Sequence, residues 1–491
     1  MRQTQMSLLF FAGDFVYKVK KPVNLGYLDY TSLADRKQFC EREVELNRRL
    51  CDRTYLGVVP ISRSPHGLAV EGTGEPVEYA VKMRRLPQER MLDRLLADGQ
   101  VSSEMIQSIA SRVAAFHATA AATPEISAFG GIDVIRRNTD ENFAQTLPYI
   151  GRTVTDTTHA LLRRFTDGSF DTHRALLSRR VKEGRIRDCH GDLHAAHVCM
   201  TDEVCIYDCI EFNDRFRYGD VASEVAFLAM DLDRFRRRDL SKSFSDSYVA
   251  MSNDFGVAQL LQFYKCYRAV VRGKVEGFKL GDQLMPVDEQ RSAQWLARTY
   301  FELARRYATG KGLLVLMSGV TASGKSVLAQ RLGDLLAGPV LSSDVVRKQL
   351  AGISPEEHRY EPFGQGIYTP EWTRRTYDEL LRQATGLIAG GGCAILDASF
   401  LHASERRRAI EMAGRASSRV IAVECVAPRE ELLRRLTLRE TEATVSDGRI
   451  ETLGGQLTLM EPVNEFPPGA HIIADTTHDI ETLMEEIWPQ I

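Results

Sequence analysis

The sequence predicts a two-domain α/β chain, with an α+β N-terminal part and a C-terminal parallel sheet covered by helices on both faces. Three observations carry this. The chain has 491 residues, more than one ordinary domain holds. From residue 311 onward, apolar strands alternate with amphipathic helices, the pattern of a parallel sheet buried on both sides. Before that point a few short strands and one helix come first, followed by a long, mainly helical stretch.

The elements follow in chain order. Residues 7–20 alternate as one strand, ending FVYKVKK before Pro22. Residues 35–50 read as a helix with Phe39, Leu46 and Leu50 on one face. Glu43 falls on that same face, where a carboxylate requires a partner. VEYAVKMR, residues 77–84, reads as a strand, and residues 101–122 as a helix. Residues 185–189 lead into HGDLHAAHV, residues 190–198. VCIYDCIEF, residues 204–212, reads as a strand with Asp208 on the face of Val204, Ile206, Ile210 and Phe212. Residues 221–232 and 257–310 read as helical, with Pro286 a break. The predicted domains are 1–307 and 308–491. In the second, GLLVLMS forms a strand and Leu328, Leu332 and Leu335 line the next helix. Further strands end at Ser343, Asp397, Ala427 and Asp475.

Composition narrows the classes. The chain is 44% hydrophobic and 26% charged, with a net charge of -3, which argues against a protein built to coat nucleic acid. Nine cysteines, none in CxxC, do not form a disulfide framework, so a reducing cytoplasm is the expected compartment. Cys199, Cys205 and Cys209 lie near the three histidines of residues 190–198, but without the paired close ligands of a zinc site. The N-terminal apolar run is too short for a signal peptide, and no run of 18 apolar residues predicts a membrane span.

GVTASGKS, residues 319–326, fits G-x-x-x-x-G-K-[ST], with a strand before it and a helix after. In such a loop the backbone of Gly319, Val320, Thr321, Ala322, Ser323 and Gly324 holds phosphate oxygens at a helix N-terminus. Lys325 reaches the β/γ-phosphates and Ser326 ligates Mg²⁺, so ATP with Mg²⁺ is the expected cofactor. Asp397 ends a neighbouring strand and completes the metal site, whereas Asp475 ends a strand read as last in the sheet. Asp344 in SSDVVRK is either a helix N-cap or, at the carboxyl end of a parallel strand, the acceptor of a substrate hydroxyl proton. Arg347 then steers the acceptor. Arg435 and Arg439, one helical turn apart, either clamp the transferring phosphate or form a solvated basic face.

This half resembles the small P-loop kinases, which include gluconate-kinase-like, zeta-toxin-like and polynucleotide-kinase-like enzymes. In several of these a D-x-x-R pair after the second strand binds the phosphate acceptor. Asp344 and Arg347 match it, and Arg435 and Arg439 match an arginine-bearing lid. A true AAA+ machine is the competing reading, but about 180 residues leave no room for its helical lid domain.

HGDLHAAHV, with Asp208 following Asp192 by 16 positions, resembles the aminoglycoside-phosphotransferase and choline-kinase-like family. The resemblance implies a protein-kinase-like α+β fold over residues 7–280. By it, Asp192 is the catalytic acid or base, Asp208 the metal-binding acid and His190 a support of the loop. Lys18 or Lys20 would hold phosphates and pair with Glu43. Both lysines face the same way, with Lys18 preferred. His197 stands where that family places a metal-binding Asn, although imidazole suits Mg²⁺ poorly. The order of the halves is similar to bacterial bifunctional aminoglycoside phosphotransferase/ATP-binding proteins, as in GDFVYKVKKPV and VEYAVKMRRLPQER. These resemblances imply an ATP-dependent kinase for a small-molecule hydroxyl, with a second kinase-like site in the N-terminal domain. The alternatives are a P-loop kinase or ATPase gated by a non-catalytic N-terminal domain, and, less favoured, a polynucleotide 5'-hydroxyl kinase. The acceptor's identity and the oligomeric state stay open.

Overall fold

The computed structural model describes residues 1–64, 67–282, 285–354, 357, 364–439 and 450–491. Its chain divides into two compact units. One comprises Met1–Gln145 with Arg163–Val271, the other Thr146–Leu162 with Arg272–Ile491.

The first unit opens with six strands: β1 (Arg2–Gln3), β2 (Ser7–Ala12), β3 (Phe15–Lys20), β4 (Tyr55–Ser64), β5 (Gly67–Val70) and β6 (Pro76–Arg84). They form one antiparallel sheet in the order β1-β2-β3-β6-β4-β5. The single strand read over residues 7–20 is therefore a hairpin. Ala12 pairs with Phe15 across Gly13 and Asp14, and Gly13 has φ +57°. A two-residue turn demands that left-handed backbone. The alternation of side chains runs on through the turn, so periodicity alone does not show it.

Helix Leu33–Arg48 packs on this sheet. Ser32 caps it, its hydroxyl accepting the Asp35 N–H at 3.0 Å. Val44 of the helix meets Val16, Tyr55, Val81 and Met83 of the sheet. The rest of the unit is mainly helical. Helices Ser103–Thr119, Val221–Arg234 and Arg238–Ser252 enclose a core that includes Ile109, Val113, Val225 and Phe244.

Four short strands carry the loops of interest: β7 (Ile186–Asp188), β8 (Val198–Met200), β9 (Val204–Ile206) and β10 (Tyr218–Asp220). β7 pairs with β10, and β8 with β9. The strand read over 204–212 stops at Ile206, because Asp208 sits at φ +63° and ends the alternation. A second correction concerns cysteine: Cys51 and Cys205 form a disulfide across a separation of 154 residues. Spacing does not reveal such a pair, because only the fold brings β9 against the end of the first helix.

The second unit carries β11 (Leu313–Ser318), β12 (Val340–Ser342), β13 (Cys393–Asp397), β14 (Arg419–Val426) and β15 (His471–Asp475). All pairs are parallel, in the order β12-β13-β11-β14-β15. Both faces are covered, as the apolar strands require. Leu313, Val315 and Met317 pack toward helices Lys325–Leu335 and Ile480–Ile487. Leu314 and Leu316 pack toward helices Pro370–Ile388 and Ala403–Arg415. Pro286 caps helix Val287–Thr309, following helix Gly256–Phe278. Among the described residues no helix is long and apolar enough to cross a membrane.

Leu316 is fully buried at the centre of this sheet. Leu316→Ala is expected to lower stability by about 2–5 kcal/mol through lost burial and a residual cavity, read as a drop in the midpoint of denaturant unfolding.

Candidate active sites

The P-loop leaves β11 through Gly319 and enters helix Lys325–Leu335 through Gly324. Gly319 has φ +136°, and a Cβ there would lie 2.6 Å from the Cys425 carbonyl oxygen. Gly324 has φ +83°, and its Cβ would meet the Thr476 side chain at 3.1 Å. Between them Ala322 is held at φ +61°. The loop's two apolar side chains, Val320 and Ala322, pack with Leu432, Leu436 and Leu453. Lys325 Nζ donates to the Val320 carbonyl at 2.6 Å, so the ammonium lies over the loop, and Ser326 is exposed.

Strand order places the acids. β13 lies between β11 and β12, and Asp397 registers with Met317 on one side and Ser342 on the other. Asp397 thus ends the strand beside the one that feeds the P-loop, and it is 9% exposed. Asp344 is in the first turn of helix Ser343–Leu350, whose N-cap is Ser342. Arg347 is buried; its Nη1 donates to the Ile367 carbonyl at 2.8 Å, and its guanidinium lies 4.9 Å from the centre of the Tyr368 ring. Burial pushes the Tyr377 phenol up, and among nearby charges Arg347 opposes and Asp344 adds to this. The Tyr377 oxygen accepts the Phe400 N–H at 3.1 Å. Asp475 ends β15, separated from β11 by β14, and its carboxylate accepts from Thr477 N–H at 3.0 Å.

Arg435, in helix Arg429–Arg439, is engaged with the loop's own backbone. Its Nη1 donates to the Ala322 carbonyl at 3.2 Å and to Thr476 Oγ1 at 3.0 Å, while Nε donates to Glu431 at 2.7 Å. Arg439 ends the helix, and its side chain lies outside the described residues. Gln456 and Thr476 escape the sequence reading. The Thr321 N–H donates to Gln456 Oε1 at 2.6 Å, and neither Gln456 nor Thr476 belongs to any motif.

In the first unit the structure separates the two lysines. Lys18 Nζ lies 2.8 Å from Glu43 Oε1 and donates to Asp208 Oδ1 at 2.6 Å. Lys20 donates to Glu43 Oε2 at 2.7 Å and also to Glu211, which accepts from Tyr30 Oη at 2.7 Å. The Lys20 side chain is 1% exposed and that of Lys18 14%. Burial lowers both ammonium pKa values, but the carboxylates overcome it and raise them. Burial also works to raise the Asp208 carboxyl, yet Lys18 holds it below the ordinary carboxylate range. No motif marks Glu211 or Tyr30, although an acid three residues after Asp208 in an apolar segment carries the same signal as Glu43.

The HGDLH loop is held by its backbone. Gly191 has φ +89°, and a Cβ there would lie 2.8 Å from the Phe216 carbonyl oxygen. Glu224 accepts the N–H groups of His190 at 2.8 Å and Gly191 at 2.6 Å, and pairs with His117 Nε2 at 2.7 Å. Asp231 accepts the Ala195 N–H at 2.9 Å. His190 Nε2 lies 3.0 Å from the Tyr207 carbonyl, which fits a loop support. His197 stands between the two acids, with Nδ1 3.0 Å from the Asp192 carbonyl oxygen and Nε2 3.6 Å from Asp208 Oδ2. His194 Nε2 lies 3.5 Å from Asp192 Oδ2. Asp192, His197, Asp208, Lys18 and Glu43, read from separate stretches, thus come together.

These two centres, a Gly-Lys-Ser phosphate loop on a parallel sheet and a Lys–Glu–Asp constellation on an α+β unit, define an ATP-dependent kinase. Residues 31–261 match the phosphotransferase enzyme family, and residues 314–463 match an AAA domain. The chain belongs to one family with the uncharacterized protein Rv2004c of Mycobacterium tuberculosis (strain ATCC 25618 / H37Rv) and the uncharacterized protein Mb2027c of Mycobacterium bovis (strain ATCC BAA-935 / AF2122/97). Each is 32% identical over 442 residues, 89% of this chain and 86% of the relative. Among solved structures, a gluconokinase from Sinorhizobium meliloti 1021 aligns with TM-score 0.27 at 16% identity, covering 37% of this chain and 91% of that chain.

Two outcomes follow from the buried charges. Lys20→Met leaves Glu211 without its cation and is expected to cost about 3–5 kcal/mol, measured by denaturant unfolding. Burial works to raise the Glu224 carboxyl, but the His117 contact and the Gly191 N–H outweigh it and hold the group at about 2. The folded value lies below that of an unfolded Glu, near ~4.3. The stability this adds is complete above that value and is lost as pH falls toward 2. Glu224→Gln is expected to remove this acid-limb dependence, read as a flatter plot of melting temperature against pH below about 4.

Proposed function

We propose that the second unit transfers the γ-phosphoryl group of ATP to a hydroxyl of a small molecule. The observation that carries this reading is the register of Met317, Asp397 and Ser342 across three adjacent strands. It sets an acid beside the P-loop and leads the next strand directly into Asp344. The carboxyl ends of such strands are where ligands bind.

Lys325 and the loop N–H groups take the ATP phosphates. Ser326 and Asp397 offer a hydroxyl and a carboxylate, hard oxygen donors that fit Mg²⁺. The ion, when bound, neutralises charge that builds on the phosphate oxygens. Asp344 accepts the proton of the acceptor hydroxyl as its oxygen bonds to the γ-phosphorus. The bond from that phosphorus to the β,γ-bridging oxygen breaks, and ADP leaves with the electron pair. Arg347 is a positioning residue that holds the segment at Ile367 and Tyr368 beside Asp344. Arg435 keeps the P-loop backbone in place through the Ala322 carbonyl. Arg439, its neighbour one turn on, is assigned to the same helix without a role of its own.

In the first unit, Lys18 paired with Glu43 and Asp208 supports a second nucleotide-binding centre, with Asp192 at the acceptor side. Labelled ATP tested against hydroxyl-bearing metabolites, nucleosides and oligonucleotides separates the two centres. Lys325→Ala is expected to reduce transfer to the preferred acceptor by at least about 100-fold, while Asp192→Ala leaves it within a few-fold. Transfer that survives Lys325→Ala and vanishes with Asp192→Ala would place the main chemistry in the first unit. Preference for an oligonucleotide end would replace the small-molecule acceptor.

A further inference from the structure

The chain at β7 borders a cationic cavity that shares no residue with the kinase-like centre of its unit. The cavity holds about 360 Å³, and Arg185, Arg187, His117, Tyr248, Ser111 and Ser252 line it. His117 and Ser111 come from helix Ser103–Thr119, and Tyr248 and Ser252 from helix Arg238–Ser252. Alanine, valine and methionine complete the wall, and among the described residues no carboxylate lines it. Lys18, Glu43, Asp192, His197 and Asp208 are not part of the wall. The volume falls in the range of pockets for small ligands.

The two arginines define the charge of a ligand. They flank Ile186, which is buried, so at period two both side chains leave the chain on the opposite face. Arg187 Nη1 donates to the Ala120 carbonyl at 2.7 Å, which fixes the guanidinium, and among the described residues it pairs with no acid. Arg185 Nε lies 3.7 Å from Asp254 Oδ2 and makes no hydrogen bond. Both Asp254 oxygens already accept from Arg180, at 2.6 and 3.0 Å. Two like charges on a wall without acids repel each other, and a bridging anion relieves this. Planar guanidinium forks match phosphate oxygens in pairs. The hydroxyls of Ser111 and Ser252 suit the hydroxyls of a polar ligand.

We propose that this cavity is an effector site for a small sugar or polyol phosphate, held by Arg185 and Arg187 and read by the HGDLH loop. The link is a run of hydrogen bonds. His117, buried in the wall, contacts Tyr248 Oη through Nδ1 at 2.8 Å and Glu224 Oε2 through Nε2 at 2.7 Å. Glu224 Oε1 accepts the N–H groups of His190 at 2.8 Å and Gly191 at 2.6 Å. These groups open the loop that carries Asp192. A ligand that fixes His117 and Tyr248 therefore also fixes the backbone just before Asp192.

The test titrates the full chain with glucose 6-phosphate by calorimetry, without ATP or acceptor, so it holds whichever centre transfers phosphate. Saturable binding with a Kd at or below about 1 mM is expected, and glucose, which lacks the anion, should give none. Arg185→Gln and Arg187→Gln should each weaken binding by at least ~10-fold through the lost charged hydrogen bonds. Ala115→Trp, at an exposed position of the wall, should block the cavity without replacing either arginine. It decides the case if melting transitions show that the arginine variants do not fold. Neither Lys325→Ala nor saturating ADP with Mg²⁺ should abolish binding. Amide exchange at His190 and Gly191 should slow by at least about 3-fold when the cavity fills. No saturable binding, or binding undiminished in Ala115→Trp and in the folded arginine variants, overturns the proposal. Loss of binding with Lys325→Ala or ADP would seat the phosphate at a nucleotide centre and overturn it equally. Binding with unchanged exchange at both amides overturns the effector role.

Discussion

One buried carboxylate organises the first unit. Glu43 is fully buried, and both of its oxygens face ammonium groups, from Lys18 and Lys20. Removing any of these charges from water costs several kcal/mol unless close partners repay it. The helix that carries Glu43 and the strand that carries the lysines are therefore held in one relation. From that fixed pair, Lys18 reaches Asp208 and Lys20 reaches Glu211, so the chain after β9 is placed by the same charges. Tyr30 completes the set by donating to Glu211. The left-handed backbone of Asp208 persists within this frame, where Lys18 rewards the turn.

The second unit reaches a comparable precision by other means. Its strands β11 and β13 are buried at every position, so the middle of the sheet is set by burial on two faces rather than by charge. Chemistry is confined to the places where strands end. The P-loop itself is tight because three positions have positive φ and little space around them. Contacts from outside the motif then hold it: Gln456 on the Thr321 N–H, and Arg435 on the Ala322 carbonyl.

Much of this was legible in the sequence, for identifiable reasons. The parallel sheet and its strand ends follow from apolar runs spaced by amphipathic helices, and the P-loop from its own spacing. Glu43 could be read as requiring a cation, because an acid on an apolar helix face has few other fates. The lysine choice could not be read, since period two puts Lys18 and Lys20 on one face; burial separates them only in three dimensions. The hairpin at Gly13 was hidden by alternation that runs through the turn, and the end of β9 by alternation that the Asp208 backbone breaks. Glu224, Gln456 and the Cys51–Cys205 bond were invisible because each acts on a segment far away in the chain, and no local pattern encodes that distance.

The β2–β3 hairpin has a kinetic consequence. Its strands close over two residues, Gly13 and Asp14, and pair along their full length from Ser7 to Lys20. A turn that short has no slack with which its tip could swing apart from the strands. Movement of this edge is then movement of both paired strands at once, a collective motion on a slower clock than that of a loose loop.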